Sequence, residues 1–254
     1  MSASTLELPV VPRPAAEPQD LTTGFAGPQA LEMVVEMAHD LRSPLTSILF
    51  LAETMQSGQS GPLTEAQRSQ LALIRSAALC LCASASDVLE LARGDRLGQP
   101  ALAAFSIGDV FTAIRDMVQP LADEKGLELR FAPIGLGGRT GHERALSRAL
   151  LNLVTNALKY TDRGYVEVSA RAKGPTRVEF AVRDTGPGIP DDALRTLYEP
   201  FQRHDNARLS FSSAGLGLAI VRKLVAAMGA ELRVITRTGG GTRFWFEIEL
   251  PAAS

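Results

Sequence analysis

Three groups of residues in this chain have types and spacings that suit chemistry. In MAHDLRSPLTSI, residues 37–48, His39 is followed at once by Asp40, and Ser43 adds a hydroxyl four residues on. An imidazole is a nucleophile near neutral pH, and a carboxylate beside it can orient the ring and take its proton. Pro44 lacks the amide hydrogen that would bond the Asp40 carbonyl, and its ring crowds that carbonyl at a cost of about 3 kcal/mol inside a helix. The strain falls on the turn that holds His39. A second group, Asn152, Asn156, Lys159 and Tyr160, follows i, i+4, i+7 and i+8. Its first three members share one helix face, where Lys159 can meet phosphate charge, and Tyr160 closes the helix. A solvated face is the bland reading, but amides are poor helix formers and such a stripe needs a partner. The third group, DTGPGIP at 184–190, couples Asp184 to Gly186, Pro187, Gly188 and Pro190. It reads as a turn between strand and helix. An aspartic-protease reading would need a mostly β fold and a second facing carboxylate, and the surrounding helices count against it.

Regular elements must position these groups. From Leu31 the apolar residues fall at Leu31, Val34, Ala38, Leu41, Leu45, Ile48, Ala52 and Met55, alternating steps of three and four without a phase shift at Pro44. The proline therefore kinks a continuous helix instead of ending it. SGQSGPLT interrupts, and Thr64 with Gln67 has the form of a capping box. A second seam follows at Leu71, Ile74, Ala78, Leu81, Ala85, Val88 and Ala92. Two helices with one apolar stripe each enclose too little, so the hairpin is expected to pair with a second copy in a four-helix bundle. Residues 1–27, with Pro9, Pro12, Pro14 and Pro18, read as a disordered tail; 28–95 as the hairpin; 96–101, within DRLGQPA, as a linker; and 102–251 as a second domain.

In that second domain Ser106 is a candidate N-cap for a helix to about Lys125, and LELRFAP reads as a strand. HERALSRALLNLVTNALKY is an amphipathic helix, YVEVSARA and RVEFAVRD alternate as paired strands, and GLGLAIVRKLVAAMG is a helix ended by Gly229. ELRVIT and TRFWFEIEL close with more strand, with Phe244, Trp245 and Phe246 as default core residues. The expectation is one mixed sheet covered by helices on one face. Between Asp191 and Ala214, Phe201, Arg203 and Ser210 to Ser213 suit a lid. Gly215 and Gly217 open a helix whose N-terminal amides can take phosphate.

The chain has 254 residues, 45% of them hydrophobic, with a formal net charge of −2. That suffices for real cores and gives no global basic field to draw it to nucleic acid or anionic lipid. No apolar run approaches the roughly 18 residues of a membrane span, and the first residues lack a secretion signal, so a cytoplasmic protein is expected. Cys80 and Cys82, the two cysteines, point to different helix faces and read as reduced filler, with a free thiol sensor as the alternative. His142 and His204 have no second histidine or cysteine at metal spacing and read as surface residues.

HDLRSPLTSI resembles the phospho-acceptor box of bacterial sensor histidine kinases, and the companion boxes follow in the family's order. NLVTNALKYT is similar to its N box, DTGPGI to the first glycine box, EPFQR to the F box, GLGLAIV to the second glycine box and GGGTRFWF to the last. Each motif alone is weak; their joint order over residues 30–250 is specific. The resemblance implies an α+β protein: a HisKA-type dimerisation and phosphotransfer hairpin, forming a dimeric four-helix bundle, then an α/β sandwich of the GHKL type that binds ATP. It further implies that Asn156 holds Mg²⁺, that Lys159 contacts phosphate, and that Tyr160 packs near the adenine. Asp184 would accept from the adenine amino group, with Gly186 and Gly188 allowing close approach and Thr242 supporting the base. Phe201 and Arg203 would belong to the lid, with Arg203 helping to neutralise charge. Asn152 stands where related ATPases carry a water-activating glutamate, and an amide accepts no proton at neutral pH.

The function so implied is ATP-dependent phosphorylation of His39, aided by Asp40, followed by transfer to an aspartate of a response regulator. Ser43 occupies the position where the family usually has a threonine or asparagine that positions water for dephosphorylation. Expected partners are a second copy, the response regulator and a separate sensory or input protein, with no nucleic acid and no membrane span. Two alternatives remain open from the sequence. One is a non-catalytic or phosphatase-only scaffold; the other is a GHKL ATPase or serine kinase that does not use His39.

Overall fold

The computed structural model describes residues 28–92, 102–132, 135–195, 197 and 217–253; the side chains of 28–35, 37–39, 83, 84, 86–92, 192 and 195 lie outside the description. Two long helices come first, α1 (Pro28–Gln56) and α2 (Glu65–Ala92), packed against each other. α1 runs unbroken through Pro44. The capping box forms at the start of α2: the Thr64 amide donates to Gln67 Oε1 at 2.9 Å, and the Gln67 amide donates to Thr64 Oγ1 at 3.3 Å.

The hairpin buries one seam residue per heptad. Leu45 and Ala52 on α1 and Leu71, Ala78 and Ala85 on α2 are buried. The intervening seam residues Leu41, Ile48, Met55, Ile74 and Leu81 stay 38–53% exposed. Burial pushes the Cys80 thiol up to about 11.

The second region runs β1 (Ala103–Phe105), α3 (Ile107–Glu124), β2 (Glu128–Phe131), β3 (Arg139–Gly141), α4 (Glu143–Tyr160), β4 (Tyr165–Ala172), β5 (Arg177–Asp184), α5 (Asp191–Arg195), α6 (Gly217–Ala227), β6 (Arg233–Arg237) and β7 (Gly241–Glu249). Ser106 caps α3, its hydroxyl accepting from the Asp109 amide. Five strands form one mixed sheet in the order β2-β4-β5-β7-β6, with β2 parallel to β4 and the other pairs antiparallel. β1 and β3 make a separate two-stranded ribbon.

Period-2 alternation sorts the strand residues onto two faces, and the helices cover one of them. Val166 and Val168, Phe180 and Val182, and Phe246 and Ile248 point to one side, where Val118, Leu146, Leu150, Val154, Val221 and Val225 of α3, α4 and α6 join them in one buried cluster. Phe180 and Phe246 stand opposite each other in register and stack at 5.7 Å. Each fully buried side chain of this size contributes about 1.5–3 kcal/mol. Trp245 departs from the expected core placement: it lies on the other face, half-buried, with the Arg243 guanidinium 4.8 Å from its ring. His142 is half-buried at the N-cap of α4, and among the described residues its buried Nδ1 has no hydrogen-bond partner. Among the described residues, no helix is long and apolar enough to cross a membrane.

Candidate functional site

A cavity of about 140 Å³ opens where the last turns of α4 meet the end of β5 and the start of α6. α4 contributes Leu153, Asn156, Ala157 and Tyr160, because its polar stripe lies beside the apolar face that packs on the sheet. Val182 and Asp184 come from β5, Gly188 and Ile189 from the loop after it, Gly217 and Leu218 from α6, and Thr242 and Phe244 from β7. The lining is mostly apolar with a few polar groups, the usual constitution of a small-molecule site.

Asp184 is the charged residue of this lining. Its Oδ1 accepts from the Gly186 amide at 2.8 Å and from the Thr242 amide at 3.2 Å, while no donor among the described residues reaches Oδ2. Burial raises its carboxyl above the ordinary value, and the two amide bonds pull it back. The carboxylate is thus oriented by backbone and left with an open acceptor. A flat heterocycle bearing an exocyclic N–H suits such a cleft.

The glycines serve close approach. A Cβ on Gly186 would stand 3.0 Å from the Tyr160 carbonyl and 3.2 Å from Thr161 Oγ1. Gly188 has a φ of +75°, and a Cβ there would collide with the Arg237 carbonyl. Thr236 ties this loop to the β6–β7 hairpin: its hydroxyl accepts from the Ile189 amide at 2.8 Å and lies 3.1 Å from that of Thr242. At Gly217 a Cβ would lie 3.2 Å from Asn156 Nδ2 and 3.6 Å from Asn152 Oδ1, so both amides face the start of α6.

Asn156, Tyr160, Asp184, Gly188, Gly217 and Thr242 line the cavity, and Asn152 and Gly186 stand directly behind it. Lys159 is beside rather than in the lining, its ammonium 5.1 Å from the Tyr160 ring. His39, Asp40 and Ser43 lie on α1, away from the cavity lining; Asp40 and Ser43 are exposed, and the side chain of His39 is outside the described residues. Phe201, Arg203, Gly215, His204 and most of the lid segment also fall outside them, as do the tail and the linker.

Sequence reasoning passed over two contributors. Thr236 carries no motif beyond its place in a strand. Lys125, named from the sequence only as the approximate end of a helix, donates from Nζ to the carbonyls of Leu158, Lys159 and Thr161 at 2.6, 3.1 and 2.8 Å. These contacts span 33 to 36 residues, so no local pattern announces them.

Residues 29–97 match the family model of the His Kinase A (phospho-acceptor) domain, and residues 141–252 match that of the histidine kinase-, DNA gyrase B- and HSP90-like ATPases. The chain is 35% identical to the sensor histidine kinase AruS of Pseudomonas aeruginosa over 86% of its own length and 22% of that protein. It is 32% identical to the histidine protein kinase DivJ of Caulobacter vibrioides over 82% of itself and 35% of that protein. Among solved structures, full-length ShkA in complex with AMPPNP superposes with a TM-score of 0.62 at 35% identity, over 88% of this chain and 46% of that one. With both modules present in order, the chain belongs to the sensor histidine kinase family of two-component systems. It spans 22% and 35% of the length of these two curated relatives.

Proposed function

We propose that this chain is an ATP-dependent protein-histidine kinase, whose cavity holds ATP and whose His39 receives the γ-phosphoryl group before passing it to an aspartate of a response regulator. The observation that carries the reading is Asp184, fixed by two backbone amides with Oδ2 open at the cavity, an acceptor for the adenine amino group. That ShkA was crystallised with AMPPNP supports the choice of ATP. Gly186 and Gly188 let the base approach, Thr242 supports it, and Tyr160 packs at the rim. The amides at the start of α6, from Gly217 onward, and Lys159 would receive the phosphates, and Gly215, outside the described residues, is assigned to the same role. Phe201 and Arg203 are assigned to a lid over them.

Among the described residues no cluster of three acidic, histidine or cysteine side chains could hold a metal by itself. An Mg²⁺ ion carried by phosphate oxygens needs one or two protein ligands, and Asn156, facing the start of α6, fits that need. Bound Mg²⁺ neutralises phosphate charge. Asn152 offers an amide where a general base would be required to activate water, so the site retains ATP for transfer.

At His39 the imidazole nitrogen forms the bond to phosphorus as the bond to the leaving ADP oxygen breaks, and the ring proton passes to Asp40. At pH 7 an unperturbed imidazole, of pKa about 6.5, is roughly three-quarters neutral. Residues 28–95 are assigned to the dimerisation and phosphotransfer module, 96–101 to the linker and 102–251 to the ATP domain. The exposed seam residues of α1 and α2 favour a homodimer, and input is assigned to a separate sensory protein.

Incubation with γ-labelled ATP tests the reading. Label that is lost in acid and kept in alkali is the expected result, since phosphoramidates are acid-labile. Acid-stable label would indicate a serine kinase, and an unlabelled chain a scaffold.

A further inference from the structure

We propose that Lys125 is a positioning residue for the nucleotide site, acting by locking the last turn of α4; the proposal rests on the ATP-site reading above. Helix C-termini leave carbonyls unpaired and carry partial negative charge. Here Lys125, the C-cap residue of α3, places all three of its ammonium donors on the carbonyls of Leu158, Lys159 and Thr161. The one carbonyl skipped is that of Tyr160, and it is the one that packs against Gly186 behind Asp184. A single side chain from a different helix therefore fixes the turn that carries Tyr160, stands one turn after Asn156 and backs the Asp184 wall. Lys125 itself does not line the cavity, so it acts on nucleotide only through this turn. Arginine cannot converge its planar fork on three carbonyls in the same way, and methionine leaves them unpaired.

The test compares wild type, Lys125→Met, Lys125→Arg and the exposed β4 control Arg171→Met. ATP binding is followed by titration with AMPPNP and phosphorylation by initial rates. Lys125→Met should raise KM for ATP and the AMPPNP Kd about tenfold, the loss expected when a positioning hydrogen-bond set is removed, with the rate at saturating ATP within about twofold of wild type. Lys125→Arg should fall between, and Arg171→Met should match wild type. Unchanged AMPPNP affinity in Lys125→Met, or a loss confined to the saturating rate, overturns the proposal. If Lys125→Met does not fold, Lys125→Gln, which keeps two donors, must raise KM for ATP by a smaller factor, about threefold, and an unchanged KM in it overturns the proposal equally. Wild type that binds no AMPPNP would instead refute the ATP-site reading, so the two failures are separable.

Discussion

Asp184 combines two demands that oppose each other. Ionised, it is the acceptor that the proposed nucleotide would need; half-buried without that ligand, it costs folding energy, and burial raises its pKa from 3.8. A raised pKa means the folded state binds the proton more tightly than the unfolded chain, so this group's contribution falls as pH rises through the window above 3.8. In Asp184→Asn the carbonyl still accepts from Gly186 and Thr242, but no charge is buried. The variant should melt higher than ligand-free wild type at pH 7, and the gap should shrink as pH is lowered toward 4. It should also lose AMPPNP affinity by about tenfold to a hundredfold, because a donor replaces the open acceptor. Melting curves across pH check the first part; a gap that does not change with pH contradicts the account. Most polar residues of the cavity were readable from spacing, since a helix face and a Gly-Pro-Gly turn are local patterns. Lys125 and Thr236 were not, because their partners lie on other elements.

Among the elements, α1 makes the clearest statement about local rules and their limits. Its heptad carries through Pro44 because the apolar contacts of a whole stripe outweigh one unfavourable residue. The Thr46 and Ser47 hydroxyls donate to the carbonyls of Arg42 and Ser43 in the same turn. Pro44→Ala should stabilise the helix by roughly 1–3 kcal/mol and shift the ratio of phosphorylation to dephosphorylation rates. Denaturant melts and rate assays decide this; an unchanged stability and ratio would refute the strain argument. The capping box of α2, the Ser106 cap and every strand of four or more residues could be anticipated from the chain. β1, β3 and the five-residue α5 could not, since three to five residues hold too few periods to show a pattern. Trp245 misled because alternation predicts which residues share a face, not which face is covered.

For the molecule as a whole, the hairpin leaves its apolar seams half-covered. Leu41, Ile48 and Met55 recur every seven residues on α1, and Ile74 and Leu81 do so on α2, all exposed in one chain. A second copy would cover them, each such side chain contributing about 1.5–3 kcal/mol on full burial. Leu41→Glu combined with Ile48→Glu should convert a sedimenting dimer into a monomer while the ATP domain still binds AMPPNP. Persistence of the dimer in that variant would place the interface elsewhere.

The account stands or falls on where the phosphoryl group goes. His39→Gln removes the nucleophile without touching the cavity, and Asn156→Ala alters the cavity without touching the nucleophile. Each is to be measured for AMPPNP affinity and for label from γ-labelled ATP, with the wild-type site located by peptide mapping at neutral pH. The account predicts one acid-labile phosphoryl group on His39 in wild type, none in His39→Gln despite unchanged AMPPNP affinity, and none in Asn156→Ala. Label persisting in His39→Gln, at any residue, would contradict it.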